Sequence, residues 1–131
     1  MNSFDKEPKI AVNPKAKKKP FILMNDIEYI SNKYNGQNYR IFINKGYSWD
    51  GATIPRFLWR VVGSQYNPEF LPASMIHDWL CENKGFIEKK GAYVSTCIFK
   101  DILELYGVSS FKASVMFAAV YAFQKTRKGW K

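Results

Sequence analysis

The chain has one histidine, two cysteines and no apolar run long enough to cross a bilayer, and each scarcity removes a class of chemistry. Hydrolases that bind metal through a His-Asp doublet need further histidines to complete the coordination shell, and His77 is the only imidazole here. That class is excluded. Cys81 and Cys97 stand in apolar, helical contexts without the close spacing of zinc or dithiol sites, so they read as buried, reduced thiols. The longest apolar run, residues 115–123, is far short of the roughly 20 residues of a spanning helix. The N-terminus lacks the apolar stretch of a secretory signal, and residence in a cytoplasm is expected. Internal repeats are absent too.

What is present is core-forming material and displaced charge. Of 131 residues, 47% are apolar and 17% aromatic, enough for a folded domain with a substantial core. The formal charge of +9 sits at the ends. Residues 1–20 carry six lysines against Asp5 and Glu7, and residues 125–131 carry four cations and no acid, whereas the body between is nearly neutral. Readers of nucleic acid usually place a basic stripe across a folded face to neutralise phosphates in register. Charge confined to the termini instead predicts a basic N-terminal arm over 1–20, then one domain over 21–131 with a basic tail. Lys15, Lys17, Lys18 and Lys19 in the arm, with Arg127, Lys128 and Trp130 in the tail, are the candidate partner-binding residues. Contact with nucleic acid through these tails stays open beside contact with an acidic partner.

Periodicity changes midway along the chain. Residues 21–24, 27–30 and 39–43 are short β-type runs, and Asn35-Gly36 between the last two is a hairpin turn signal. A small antiparallel sheet is expected. Thr53-Ile54-Pro55 opens a first helix ending at Gly63, and Met75, Ile76, Trp79 and Leu80 define a second, which carries His77. Val94, Ile98, Ile102 and Leu105 mark a third that stops at Gly107, and Ser109 or Ser110 caps a fourth running toward Lys125. The fold class is therefore α+β, with an N-terminal sheet packed against about four C-terminal helices.

Two segments concentrate the distinctive residues. The first is Gly46-Tyr47-Ser48-Trp49-Asp50-Gly51-Ala52-Thr53-Ile54-Pro55-Arg56, followed by Leu58-Trp59; the second is Ala73-Ser74-Met75-Ile76-His77-Asp78-Trp79-Leu80. Together they resemble a family classed as domain of unknown function 1353, common in tailed bacteriophages and prophages, whose usual forms are G-F-x-T-D-G-A-S-I-P-R and A-A-x-x-H-D-W-L-Y. The resemblance runs from about residue 29 to 123 and implies no reaction, since the family has none established. Members often carry an acid within an Ala-Asp pair early in the third helix. This chain has Val94-Ser95-Thr96-Cys97 there.

Asp50, His77 and Asp78 are the candidate catalytic residues. They suit a divalent cation by donor type, but neighbouring helical residues point roughly 100° apart and share one ion poorly, so no metal or other cofactor is expected. Ser74, His77 and Cys81 fall on one helix face, so the imidazole could act as base to either nucleophile in a hydrolase or peptidase. The competing reading is a scaffold: Asp50 and Gly51 form a tight loop, and His77 locks strand to helix beside Gly46, Pro55, Arg56 and Trp79. Taken with the terminal charge, this favours a phage-type accessory or structural-interface protein that binds other phage proteins through its basic ends. An intracellular inhibitor of a host defence protein, anti-CRISPR-like, is the alternative, and a cryptic hydrolase the third. The expected location is the host bacterial cytoplasm or the phage particle.

Overall fold

Residues 2–13, 15–16, 18–49 and 68–125 are described by the computed structural model, the side chains of residues 123–125 excepted. The protein is α+β: strands make up the first of two compact units, residues 1–51, and helices the described part of the second, residues 52–131.

Among the described residues of the first unit, six strands are present: β1 (Ser3–Phe4), β2 (Ile10–Val12), β3 (Phe21–Leu23), β4 (Ile27–Tyr34), β5 (Gln37–Ile43) and β6 (Ser48–Trp49). They make two antiparallel three-stranded sheets, β1-β4-β5 and β2-β3-β6, rather than one. The division falls at Met24-Asn25-Asp26, where side chains replace ladder partners. Asn25 Oδ1 accepts from Lys9 N at 2.9 Å, its Nδ2 donates to the Glu7 carbonyl at 3.3 Å, and Asp26 Oδ1 accepts from Lys45 N at 2.8 Å. A corner results, with β3 leaving into one sheet and β4 into the other. Alternation along the strands buries Phe21, Leu23, Ile27, Tyr29, Ile41, Ile43 and Trp49, each contributing roughly 1.5–3 kcal/mol relative to exposure.

The β4–β5 hairpin turns at Asn35-Gly36, with φ of 53° and 80°, the pair of positive angles that a type I′ turn demands. Register shifts by one residue between Ile30, opposite Arg40, and Lys33, opposite Asn38. Ser31, fully buried, stabilises this bulge. Its Oγ accepts from Tyr39 N at 2.9 Å and donates to the Asn32 carbonyl at 2.6 Å, while Asn38 Nδ2 donates to the Ser31 carbonyl at 2.6 Å.

The stretch expected to be a basic N-terminal arm is paired into the sheets. Ser3 pairs with Ile30 and Phe4 with Tyr29, and Ile10–Val12 pairs with Leu23 through Phe21. Phe4 packs its ring 4.9 Å from Tyr29. The lysine density of this segment conceals enough apolar residues, Phe4, Ile10 and Val12, to make sheet pairing favourable. Lys15, Lys18 and Lys19 belong to the loop between β2 and β3, which is closed by Asn13 N donating to the Pro20 carbonyl at 2.6 Å.

In the second unit, a 3₁₀ turn at Pro68–Phe70 leads into α1 (Leu71–Glu82), followed by α2 (Gly91–Leu105) and α3 (Ser110–Lys125). The helix expected to open at Thr53 lies outside the described residues, so three are seen where about four were expected. Helix α2 packs against both α1 and α3. It ends in a Schellman motif: Val108 N donates to the Leu103 carbonyl at 3.0 Å and Gly107 N to that of Glu104 at 3.1 Å, with Leu103 and Val108 both buried. Ser109 caps α3, its Oγ accepting from Lys112 N at 3.3 Å.

Two substitutions test these local devices by urea unfolding. Ser31→Ala strands the buried Tyr39 N–H and should cost about 1–3 kcal/mol. Gly107→Ala meets no atom within 4 Å but must hold φ at 89°, and should cost about 1–2 kcal/mol. Wild-type midpoints would refute either assignment.

Candidate functional site

Helix α1 presents almost its whole first half to the interior. Leu71, Pro72, Ala73, Ser74, Met75, Ile76 and His77 are all buried, and Leu80 continues the buried face one turn later. Such a run leaves little polar surface, so a histidine within it must be accommodated by its neighbours.

His77 is 6% exposed. Its ring meets Phe99 of α2 edge to face, with centroids 5.4 Å apart and planes at 60°. Nδ1 lies 3.7 Å from Cys81 Sγ, one turn along the same helix. Ser74 turns away from this pair: its hydroxyl donates to the Leu71 carbonyl at 2.9 Å. Of the three residues that share a face by spacing, thiol and imidazole therefore come together and the serine hydroxyl bonds its own helix backbone. A base in this position sits between a thiol and a phenyl ring, with little surface to offer a substrate.

Asp78 follows His77 directly and is half-buried, roughly 100° further round the helix. Trp79 is half-buried against Phe86, with centroids 5.2 Å apart and rings nearly perpendicular. Asn83 Nδ2 donates to the Trp79 carbonyl at 2.8 Å and closes the helix end. Gly46 lies in the turn between β5 and β6 at φ 96°, and its N–H donates to the Leu23 carbonyl at 2.7 Å. A positive φ and a backbone tie to β3 explain glycine at this motif position. Asp50, Gly51, Pro55 and Arg56 lie outside the described residues, as do Lys17, Arg127, Lys128 and Trp130. Among the described residues, no three His, Cys, Asp or Glu side chains group to hold a metal ion.

Where the family often has an acid, α2 carries hydroxyls. Ser95 Oγ and Thr96 Oγ1, both fully buried, donate to the Ala92 carbonyl at 3.1 and 2.7 Å. Sequence reasoning missed the contact of His77 with Phe99, because periodicity within one helix does not identify its partner on the next. It also missed a cluster at the α2–α3 seam, where Tyr93 lies with Phe117 and Tyr121 at centroid distances of 5.9 and 5.6 Å. The spacing of Phe117 and Tyr121, one turn apart, is the signal that was available. Burial pushes the nearby Cys97 thiol up from its ordinary pKa, more than its hydrogen bond with Tyr93 pulls it down. Cys97 is thereby kept as a thiol, a poor nucleophile.

His77 is thus buried against Phe99 of the next helix. His77→Ala should lower unfolding stability by roughly 2–4 kcal/mol, as removal of a buried side chain of this size does. Urea unfolding checks this, and an unchanged midpoint would show that the ring contributes nothing to the helix packing.

Two proteins of Sinorhizobium fredii are similar to this chain, both described as uncharacterized. One, y4iH, is 36% identical over 80 residues, covering 61% of this chain and 32% of its own length. The other, y4jT, is 34% identical over 74 residues, covering 56% of this chain and 21% of its own. The chain therefore spans about a third or less of these curated relatives. No solved structure matches it. Residues 21–120 match the family described as Protein of unknown function (DUF1353), and the chain belongs to that family.

Proposed function

We propose that this chain is a non-enzymatic binding protein of phage type, an accessory or structural-interface component that holds a protein partner through its basic segments. The observation that carries this reading is the loop between β2 and β3, which displays Lys15, Lys18 and Lys19 in exposed positions on a hairpin closed by backbone hydrogen bonds. A closed loop loses less freedom on binding than a free arm, so more of the charge attraction remains as affinity. Lys6 and Lys9, also exposed, extend the same charge along the segment before β2. An acidic protein surface is the complementary partner.

The phage assignment is supported by the likeness of the two motifs to a family common in phages and prophages. The host cytoplasm or the assembled particle is the corresponding location. Enclosure of His77 among Phe99, Cys81 and its own helix weighs against turnover.

Removing residues 1–19 would take away β1 and β2, so charge reversal is the cleaner test. In infected cells, the tagged full chain should recover phage proteins with the particle fraction. The combined Lys15→Glu, Lys18→Glu and Lys19→Glu variant should lose them by tenfold or more, roughly the effect of removing 1.4 kcal/mol. Arg127→Glu with Lys128→Glu tests the C-terminal cations separately. Recovery of a host protein alone would favour the inhibitor reading, and unchanged recovery of phage proteins by the charge-reversed chain would defeat the proposal.

A further inference from the structure

The two cysteines of this chain are alike in burial and opposite in surroundings. Cys81 of α1 and Cys97 of α2 are both half-buried thiols. Cys97 has the phenol of Tyr93 as a hydrogen-bond partner, and burial holds it above its ordinary pKa. Cys81 has an imidazole. Its Sγ lies 3.7 Å from Nδ1 of His77, a ring that is 6% exposed and set against Phe99. A phenol, with an ordinary pKa of about 10, keeps its proton at neutral pH and can only donate, whereas an imidazole, at about 6.5, is able to accept one. The thiolate and imidazolium that result attract each other more strongly at the edge of the interior than they would in water.

The helix itself works against a thiolate here. Cys81 is the second-last residue of α1, and the carbonyl end of a helix disfavours an anion. Asp78 and Glu82 on the same helix oppose the thiolate too, although both favour the imidazolium. Lys84, half-buried three residues beyond Cys81, is the nearest cation along the chain, and Glu69 lies at the opposite end of α1. On α2, the ionisable residues Tyr93, Cys97, Lys100, Asp101 and Glu104 all lie about 100° or more round from Phe99, off the face that meets His77. Among the described residues, His77 is therefore the ionisable group whose contact with the sulfur is direct.

We infer that Cys81, with His77 as its base, is a site of oxidative modification, a thiol that hydrogen peroxide converts to the sulfenic acid. As sulfur bonds to one peroxide oxygen the O–O bond breaks, and the other oxygen leaves as water with the proton that Nδ1 took from the thiol. Sulfur loses two electrons and the peroxide gains them. A sulfur this enclosed admits a reagent of two heavy atoms more readily than an ester or a peptide, which suits modification rather than turnover. The product stays a sulfenic acid within one chain, because the second thiol, Cys97, lies about 160° round α2 from Phe99. The site belongs to the helical unit and does not depend on the lysine loop.

Both thiols can be read in the same molecule by peptide mass spectrometry of the full chain. In short pulses of iodoacetamide from about pH 5 to pH 10, Cys81 should label about tenfold or more faster than Cys97 near neutrality, with a midpoint below the roughly 8.5 of an ordinary thiol. Hydrogen peroxide with dimedone should place the sulfenic-acid adduct on Cys81 and leave Cys97 reduced. His77→Gln should slow both reactions of Cys81 by about tenfold or more and return its midpoint to the ordinary thiol value or above. Cys97 in the same sample reports the fold, since an unfolded chain would label it faster, and the wild-type profile stands as a second measurement should that variant unfold. A Cys81 midpoint at or above the ordinary thiol value, a dimedone adduct on Cys97 instead, or a folded His77→Gln chain whose Cys81 reacts as fast as before would each overturn the inference.

Discussion

Hydrogen bonding of polar groups removed from water constrains both units of this protein. In the strands, one extra residue in β4 leaves Tyr39 N–H facing no carbonyl, and the buried Ser31 hydroxyl takes its place. In the helices, Ser74, Ser95 and Thr96 are buried and return their hydroxyls to carbonyls one turn earlier. These bonds let small polar residues occupy the interior, where larger side chains would hold α2 away from its neighbours. His77 is accommodated by packing, its ring edge to face with Phe99 and Nδ1 near Cys81. Of the groups that share a helix face, Ser74 bonds its own backbone, while His77 and Cys81 lie side by side.

Where local chemistry decides the backbone, the sequence was legible. Asn35-Gly36 requires positive φ at two consecutive residues, Gly107 requires it at a helix end, and Ser109 supplies a cap. Each could be placed from neighbouring residues alone. The division into two sheets could not, because it depends on Asn25 and Asp26 reaching backbone groups far along the chain. Nor could the strands β1 and β2, whose apolar residues are short runs among lysines and gain their partners only when β3 and β4 are in place. At the candidate site, spacing placed Ser74, His77 and Cys81 on one face correctly. It could not tell that the serine side chain turns back to its own helix, since that depends on rotamer and not on register.

Charge and exposed apolar surface are separated along the chain. The lysines of the β2–β3 loop belong to the strand unit, while the exposed Phe111 of α3 belongs to the helical unit. Attraction between exposed charges is weak singly and weakens further with salt. The exposed lysines of the β2–β3 loop therefore offer a contact whose strength rests on several charges acting together on one closed loop.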